Sequence, residues 1–125
     1  MKTPELGFSP KGLYIGGKWE ESVKGKTFES INPANMDYLG ELPLADEEDV
    51  NRAVIAAKEA FYDWSRMPIK ERAGFLDALA EILQDKRDEL GLMDCLDSGN
   101  TISGMKEDVD WSADTLRYFA GLIAE

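Results

Sequence analysis

The 125-residue sequence contains no histidine. Within these residues that absence excludes an imidazole base, a histidine-bound metal, and the Ser-His-Asp and Cys-His arrangements of nucleophilic catalysis. Thiols are almost as scarce. Cys95 is the single cysteine, which rules out an internal disulfide and a multi-thiolate metal site, and fits a reducing compartment. Its neighbours Asp94 and Asp97 disfavour a thiolate, so a packed, unreactive cysteine is expected. No apolar run approaches the ~18 residues that cross a bilayer, and no continuous apolar segment of signal-peptide type follows Met1 to Glu5. A cytoplasmic chain is expected. Neither a phosphate-loop pattern nor Gly-x-Gly-x-x-Gly occurs; Gly16-Gly17 lacks a third glycine and a following helix, and reads as a hairpin turn. Basic residues are few, 14 against 25 acidic for a net charge of −11. The average field therefore repels phosphate backbones and anionic lipid, and no nucleic-acid or membrane partner is expected.

What is present is the composition of a folded domain, 43% hydrophobic and 31% charged, long enough for one modest core. Residues 1–12, with two prolines and two glycines and no periodicity, read as a flexible N-terminal arm. Leu13-Tyr14-Ile15 and Lys18-Trp19 flank Gly16-Gly17 as a β-hairpin. Thr27 to Ile31 alternates as a third strand, ended by Asn32-Pro33 because proline restricts its predecessor and brings no donor. Tyr38 to Leu44 is a further extended segment, confined to an edge by Pro43.

Two amphipathic helices follow over Asp46 to Leu90, joined at Arg66-Met67-Pro68. Val50, Ala53, Val54, Ala57, Phe61 and Trp64 make one stripe, and Ile69, Ala73, Leu76, Leu79, Ala80, Leu83 and Leu90 the other. The short join predicts antiparallel neighbours packed along these stripes. Asp46 is placed to cap the first helix, with Glu47, Glu48 and Asp49 favouring the positive end of its dipole. Pro68 suits the first position of the second helix. Gly74 marks a candidate close approach of backbones, and Gly91 a break before a short helical turn that ends at Asp97-Ser98-Gly99-Asn100. A last helical pattern runs from Ile102 to Ile123, with Trp111, Tyr118, Phe119 and Leu122 widening its apolar area beyond one stripe. Such a helix is expected among several neighbours, yet the sequence stops at Glu125 directly after it.

The acidic runs Glu47-Glu48-Asp49 and Glu107-Asp108-Val109-Asp110 contain hard-cation donors, but consecutive helical residues do not converge on one centre, so solvated charge is expected. Trp19, Trp64 and Trp111 are candidates for stacking a flat ligand, and are more simply read as core or interface residues.

In order and spacing, several pieces together resemble the N-terminal segment of the aldehyde dehydrogenase superfamily. They are Leu13 to Trp19, Gly25 to Phe28, Ile31 to Ala34, Ala45 to Val50 with Ala53-Val54, Ala56-Ala57, Ala60-Phe61 and Trp64, Arg72 with Leu76 to Leu83, Asp97-Ser98-Gly99, and Leu116 to Gly121. The resemblance implies an α/β parent fold. This chain is its mainly helical beginning, an N-terminal β-hairpin and short strands followed by an antiparallel helix pair and a further long helix, with residues 13–125 an incomplete part of the cofactor-binding domain. The family's chemistry is attack of a thiolate on an aldehyde, hydride transfer to NAD or NADP, and hydrolysis of the thioester to a carboxylic acid. Its catalytic thiol, general base, oxyanion asparagine and cofactor loop come later in the polypeptide. No catalytic or cofactor-binding residue is therefore assigned here, no NAD or NADP binding is expected of these residues alone, and Cys95 is not the catalytic thiol. Some members hold a structural monovalent cation; the matching positions are the Ile31 carbonyl and the Asp108 carboxylate. Asn35-Met36-Asp37 and Gly99-Asn100-Thr101 depart from the family's usual Thr-Gly-Glu and Gly-Lys-Pro, which leaves the aldehyde open. Expected partners are the remainder of the same enzyme, an aldehyde substrate and further copies in a homo-oligomer. The competing expectation is a stand-alone helical interaction module descended from such an enzyme, using Trp111, Tyr118 and Phe119.

Overall fold

A computed structural model of the chain describes residues 12–124; most of the expected N-terminal arm lies outside the described residues. The order is β1 (Leu13–Ile15), β2 (Lys18–Glu20), β3 (Thr27–Ile31), β4 (Tyr38–Pro43), α1 (Glu47–Arg66), α2 (Ile69–Asp85), α3 (Arg87–Ser98) and α4 (Ile102–Ala124). The strands form two separate antiparallel ribbons. In the first, Tyr14 lies opposite Trp19 and their rings tilt together at 5.0 Å. Gly16 and Gly17 both take positive φ, 58° and 81°, which a two-residue turn of matching twist requires and glycine adopts without strain. In the second ribbon, an irregularity between Ser30 and Ile31 breaks the β3–β4 register just before Asn32-Pro33.

The apolar core lies among the last three helices. α4 packs against both α2 and α3, and the buried apolar residues are Ala73 and Ala80 of α2, Leu96 of α3, and Val109, Ala113 and Ala120 of α4. Four of these six are alanines. Small side chains at i, i+7 spacing let helix backbones come close, so contact is made over a long seam.

The expected antiparallel packing of the first two helices is not what the chain adopts. α1 makes its main contact with β1, and α1 and α2 are not in substantial contact along their lengths. Val50, Val54, Phe61 and Trp64 of the α1 stripe are all exposed. The two helices touch where Trp64 and Phe75 tilt together at 5.8 Å. The reason lies in α2, whose small residues Ala73 and Ala80 fit the Ala113 and Ala120 side of α4, leaving the bulkier Ile69, Phe75, Leu79 and Ile82 outward.

The two glycines also exchange their expected roles. The helix break falls at Lys86 (φ −97°, ψ 9°), and Gly91 is buried inside α3. A Cβ at Gly91 would stand 2.7 Å from Lys106 Cγ and 3.2 Å from its backbone N and Cα, whereas one at Gly74 would meet nothing within 4 Å. Gly91 is thus the point where α3 and α4 approach. α4 itself has two characters: Val109, Ala113 and Ala120 are buried, while Trp111, Tyr118, Phe119 and Leu122 face outward. Among the described residues its neighbours, α2 and α3, lie on the buried side.

Candidate functional site

Two polar junctions hold the ribbons to the helices. The first surrounds the start of α1. Asp46 sits in extended backbone, and its Oδ1 accepts from the N–H groups of Glu48 (2.9 Å) and Asp49 (3.2 Å), satisfying donors that a helix N-terminus leaves free. Asp49 completes a capping box by accepting from the Asp46 N–H at 3.1 Å. Its second oxygen accepts from the Val23 N–H at 3.0 Å and lies 3.5 Å from Arg52. Only 1% of Asp49 is exposed, so the expectation of solvated charge holds for Glu47 and Glu48 and fails for Asp49. Burial is tolerated because backbone and guanidinium donors replace water.

Around this buried carboxylate, Arg52 also pairs with Glu20 of β2, and Lys24 reaches Asp46 at 2.9 Å. The hydrogen bond from Lys24, then that from the Asp49 N–H, holds the Asp46 carboxyl below the usual carboxylate range, and the same contact with Asp46 raises Lys24.

The second junction gathers residues distant in sequence. The Asn32 side chain is buried and its Oδ1 accepts from the Ala34 N–H at 2.9 Å. Its backbone N–H donates to the Asp37 carbonyl at 2.9 Å, and its carbonyl accepts from the Met36 N–H at 2.8 Å. Ser30 donates to Asp97 at the end of α3. Pro33 stands so close to Gly99 that a Cβ there would be 2.9 Å from its Cγ. Gly99 takes φ +76° as the left-handed C-cap of α3. The Asn32-Pro33 and Ser98-Gly99 motifs thus form one contact. The structure supplies the reason for their separate glycine and proline.

The two candidate cation ligands lie on separate elements. Ile31 ends β3 and Asp108 lies exposed on α4. The Asp108 carbonyl accepts from Ser112 Oγ at 2.8 Å. β3 and α4 are not in substantial contact, and no group of three or more Cys, Asp or Glu side chains among the described residues is placed to hold a metal. One carbonyl and one exposed carboxylate do not encircle a cation, which takes about six or more oxygens. The donors present are of the right hardness and too few.

Cys95 is half-buried in α3, less enclosed than expected. Trp19, Trp64 and Trp111 are all exposed, which removes the core part of their expected role. Among the described residues, shallow hollows include one of about 310 Å³ between Trp111, Asp114, Thr115 and Tyr118 and one of about 290 Å³ beside Ser22, Lys26 and Glu41. Neither gathers the nucleophile, base and oxyanion donors of a reaction centre. What sequence reading missed is Asp49 as a structural node. Its capping-box spacing from Asp46 was a signal for it; the Val23 N–H it binds was not.

A model of the aldehyde dehydrogenase family matches residues 19–125. The chain belongs to that family. Among solved structures, HpcC from Thermus thermophilus is 37% identical with a TM-score of 0.86, covering 90% of this chain and 22% of its own. An aldehyde dehydrogenase from Bacillus cereus is 35% identical with a TM-score of 0.85, covering 93% of this chain and 24% of its own. Betaine aldehyde dehydrogenase from Staphylococcus aureus, solved with NAD+, is 32% identical with a TM-score of 0.88, covering 94% and 24%. The chain therefore spans about a quarter of the length of these relatives, and it corresponds to an N-terminal part of the aldehyde dehydrogenase fold. No helix among the described residues is long and apolar enough to cross a membrane.

Proposed function

We propose that these residues are the N-terminal frame of the cofactor domain of a cytoplasmic NAD- or NADP-dependent aldehyde dehydrogenase that oxidises an aldehyde to a carboxylic acid. In that enzyme a thiolate outside this segment attacks the aldehyde, hydride passes to the nicotinamide, and water releases the acid from the thioester. The segment supplies packing and orientation and none of the reacting groups. The observation that carries this reading is the family match over residues 19–125 together with relatives about four times longer. In the complete enzyme the Ile31 carbonyl and the Asp108 carboxylate contribute two oxygens to a monovalent-cation site finished by residues outside this chain, and the protein assembles with further copies of itself.

Intact mass of the natural product, with NAD and NADP titration of the same sample, tests the proposal. A product near the relatives' length that binds cofactor is expected, while residues 1–125 alone bind none. Micromolar binding by the 125 residues, or a natural product of this length with no complementing chain, contradicts it. A second reading, a helical interaction module, is favoured by the exposed Trp111, Tyr118 and Phe119 on α4. Size measurement distinguishes it: a stable complex with an unrelated protein supports the module, and a complex with a polypeptide carrying the catalytic residues supports a split dehydrogenase.

A further inference from the structure

Of the three tryptophans considered for stacking a flat ligand, Trp19 leans on Tyr14 and Trp64 on Phe75, with ring centres 5.0 and 5.8 Å apart. Trp111 is placed differently. Its ring walls the hollow of about 310 Å³ on α4, whose other lining residues are Asp114, Thr115 and Tyr118. These four positions recur at steps of three, four and seven, so the helix repeat sets them in one row, opposite the side on which Val109, Ala113 and Ala120 are buried.

The row has a definite chemistry. Tyr118 is braced by Phe119, which meets it edge-on at 5.4 Å and 74°. Thr115 donates its hydroxyl hydrogen to the Trp111 carbonyl at 2.8 Å. Asp114 brings a carboxylate whose Oδ1 lies 3.3 Å from Arg117, and Arg117 is drawn aside by a 2.7 Å bond to Gln84 of α2. Aromatic rings attract a cation to their faces, and a carboxylate beside them adds to that attraction. A primary ammonium carries three N–H donors and a metal ion takes several oxygens, more acceptors than this hollow gathers. An alkylated ammonium needs no such donors matched and presents methyl groups to the rings. The volume suits it, at the lower end of small-molecule sites, which begin at about 300 Å³. The net charge of −11 also draws cations toward the chain and repels anions.

We propose that this hollow on α4 binds a small quaternary ammonium group, with the Trp111 and Tyr118 rings against its methyl groups and the Asp114 carboxylate balancing its charge. The site adds a ligand to a segment that otherwise supplies packing, and it does not depend on the dehydrogenase reading.

The test is a titration of the 125-residue chain with choline chloride at constant ionic strength, followed by NMR on the indole N–H signals, with Trp111→Phe assigning that of Trp111. The Trp111 signal is expected to shift and saturate while those of Trp19 and Trp64 stay. All three rings are exposed, so equal shifts, or no saturable shift of Trp111, overturn the proposal. The neutral isostere of choline, with a tert-butyl group in place of the trimethylammonium, is expected to bind at least about fivefold more weakly; equal binding means an apolar hollow without recognition of charge, and also overturns it. Two exposed positions, which the fold tolerates changing, locate the ligand through the choline methyl signal. Trp111→Leu is expected to weaken choline at least about fivefold. Asp114→Asn is expected to weaken it about twofold to fivefold and to leave the neutral isostere unchanged. Choline binding unmoved by both substitutions places the ligand elsewhere and overturns the proposal.

Discussion

α1 and the α2–α4 cluster begin from the same kind of sequence and end in opposite environments. α1 is the most sharply amphipathic of the four helices, yet its buried residue is the acid Asp49, and Val50, Val54, Phe61 and Trp64 face outward. α2, α3 and α4 enclose alanine, leucine and valine along two shared seams. One region is fixed by apolar contact, the other by charge-assisted hydrogen bonds at a single end. The difference teaches that an amphipathic stripe states a need for a partner and not its identity. Within this chain α4 fills that need for α2 and α3, whereas among the described residues α1 has only β1 and the Trp64–Phe75 contact.

The strongest way to break this contrast is Asp49→Ala. It removes the acceptor of the Val23 and Asp46 N–H groups and the partner of Arg52, and is expected to destabilise the chain by about 2–3 kcal/mol. Hydrogen exchange should show the turn at residues 22–25 and the start of α1 losing protection before α2–α4 does. Uniform loss would mean that the two regions are one cooperative unit.

Next comes the pair of glycines. Gly91→Val drives a branched side chain into the Lys106 backbone and should cost about 1–3 kcal/mol in denaturant unfolding. Gly74→Ala, with open space around it, should stabilise by about 0.4–1 kcal/mol. Equal effects of the two changes would remove the close approach of α3 and α4 from the account.

Phe61→Ser sharpens the comparison from the other side. Phe61 is 63% exposed, so its removal in this chain should shift stability by no more than ~0.5 kcal/mol. A loss above 1 kcal/mol by the same measure would show that α1 finds an apolar partner after all.

The smallest effect is expected from pH. Lys24 and Asp46 tie the turn before β3 to the α1 cap. Asp46 is depressed by that contact, so its contribution is present above the ordinary carboxylate range and is lost as pH falls through its lower folded value. Lys24 is raised, so its contribution is present below the ordinary lysine range and is lost as pH rises through its higher folded value. Lys24 is largely exposed and Asp46 partly so, and screening by water and salt keeps the effect small. Lys24→Met should flatten the acid limb of a melting-temperature profile slightly; an unchanged limb would detach the pair from stability.

Much of the local structure was legible in the residues. Gly16-Gly17 specified a tight turn, Asp46 a cap, Pro68 a helix start, Gly99 a helix end, and the spacings of three and four specified helices, because each of these depends on bonds and torsions within a few residues. The family was legible as well, through the order of Asn32-Pro33, Asp97-Ser98-Gly99 and Leu116 to Gly121. Ile31 and Asp108 could be named as candidate cation donors only through the resemblance, and the described residues close no site around them.

Other features could not be read locally. Whether Gly74 or Gly91 meets another backbone depends on where Lys106 lies, and whether Asp49 is solvated depends on a Val23 N–H 26 positions earlier. The sequence by itself determined the elements, their caps and turns, and the family to which they belong, all consequences of short-range stereochemistry and residue order. Only the tertiary structure decided that α2 turns its alanines to α4 and leaves its bulkier stripe outward. Helix pairing is a competition between surfaces far apart in the chain, and the closest-fitting surface need not be the nearest one in sequence.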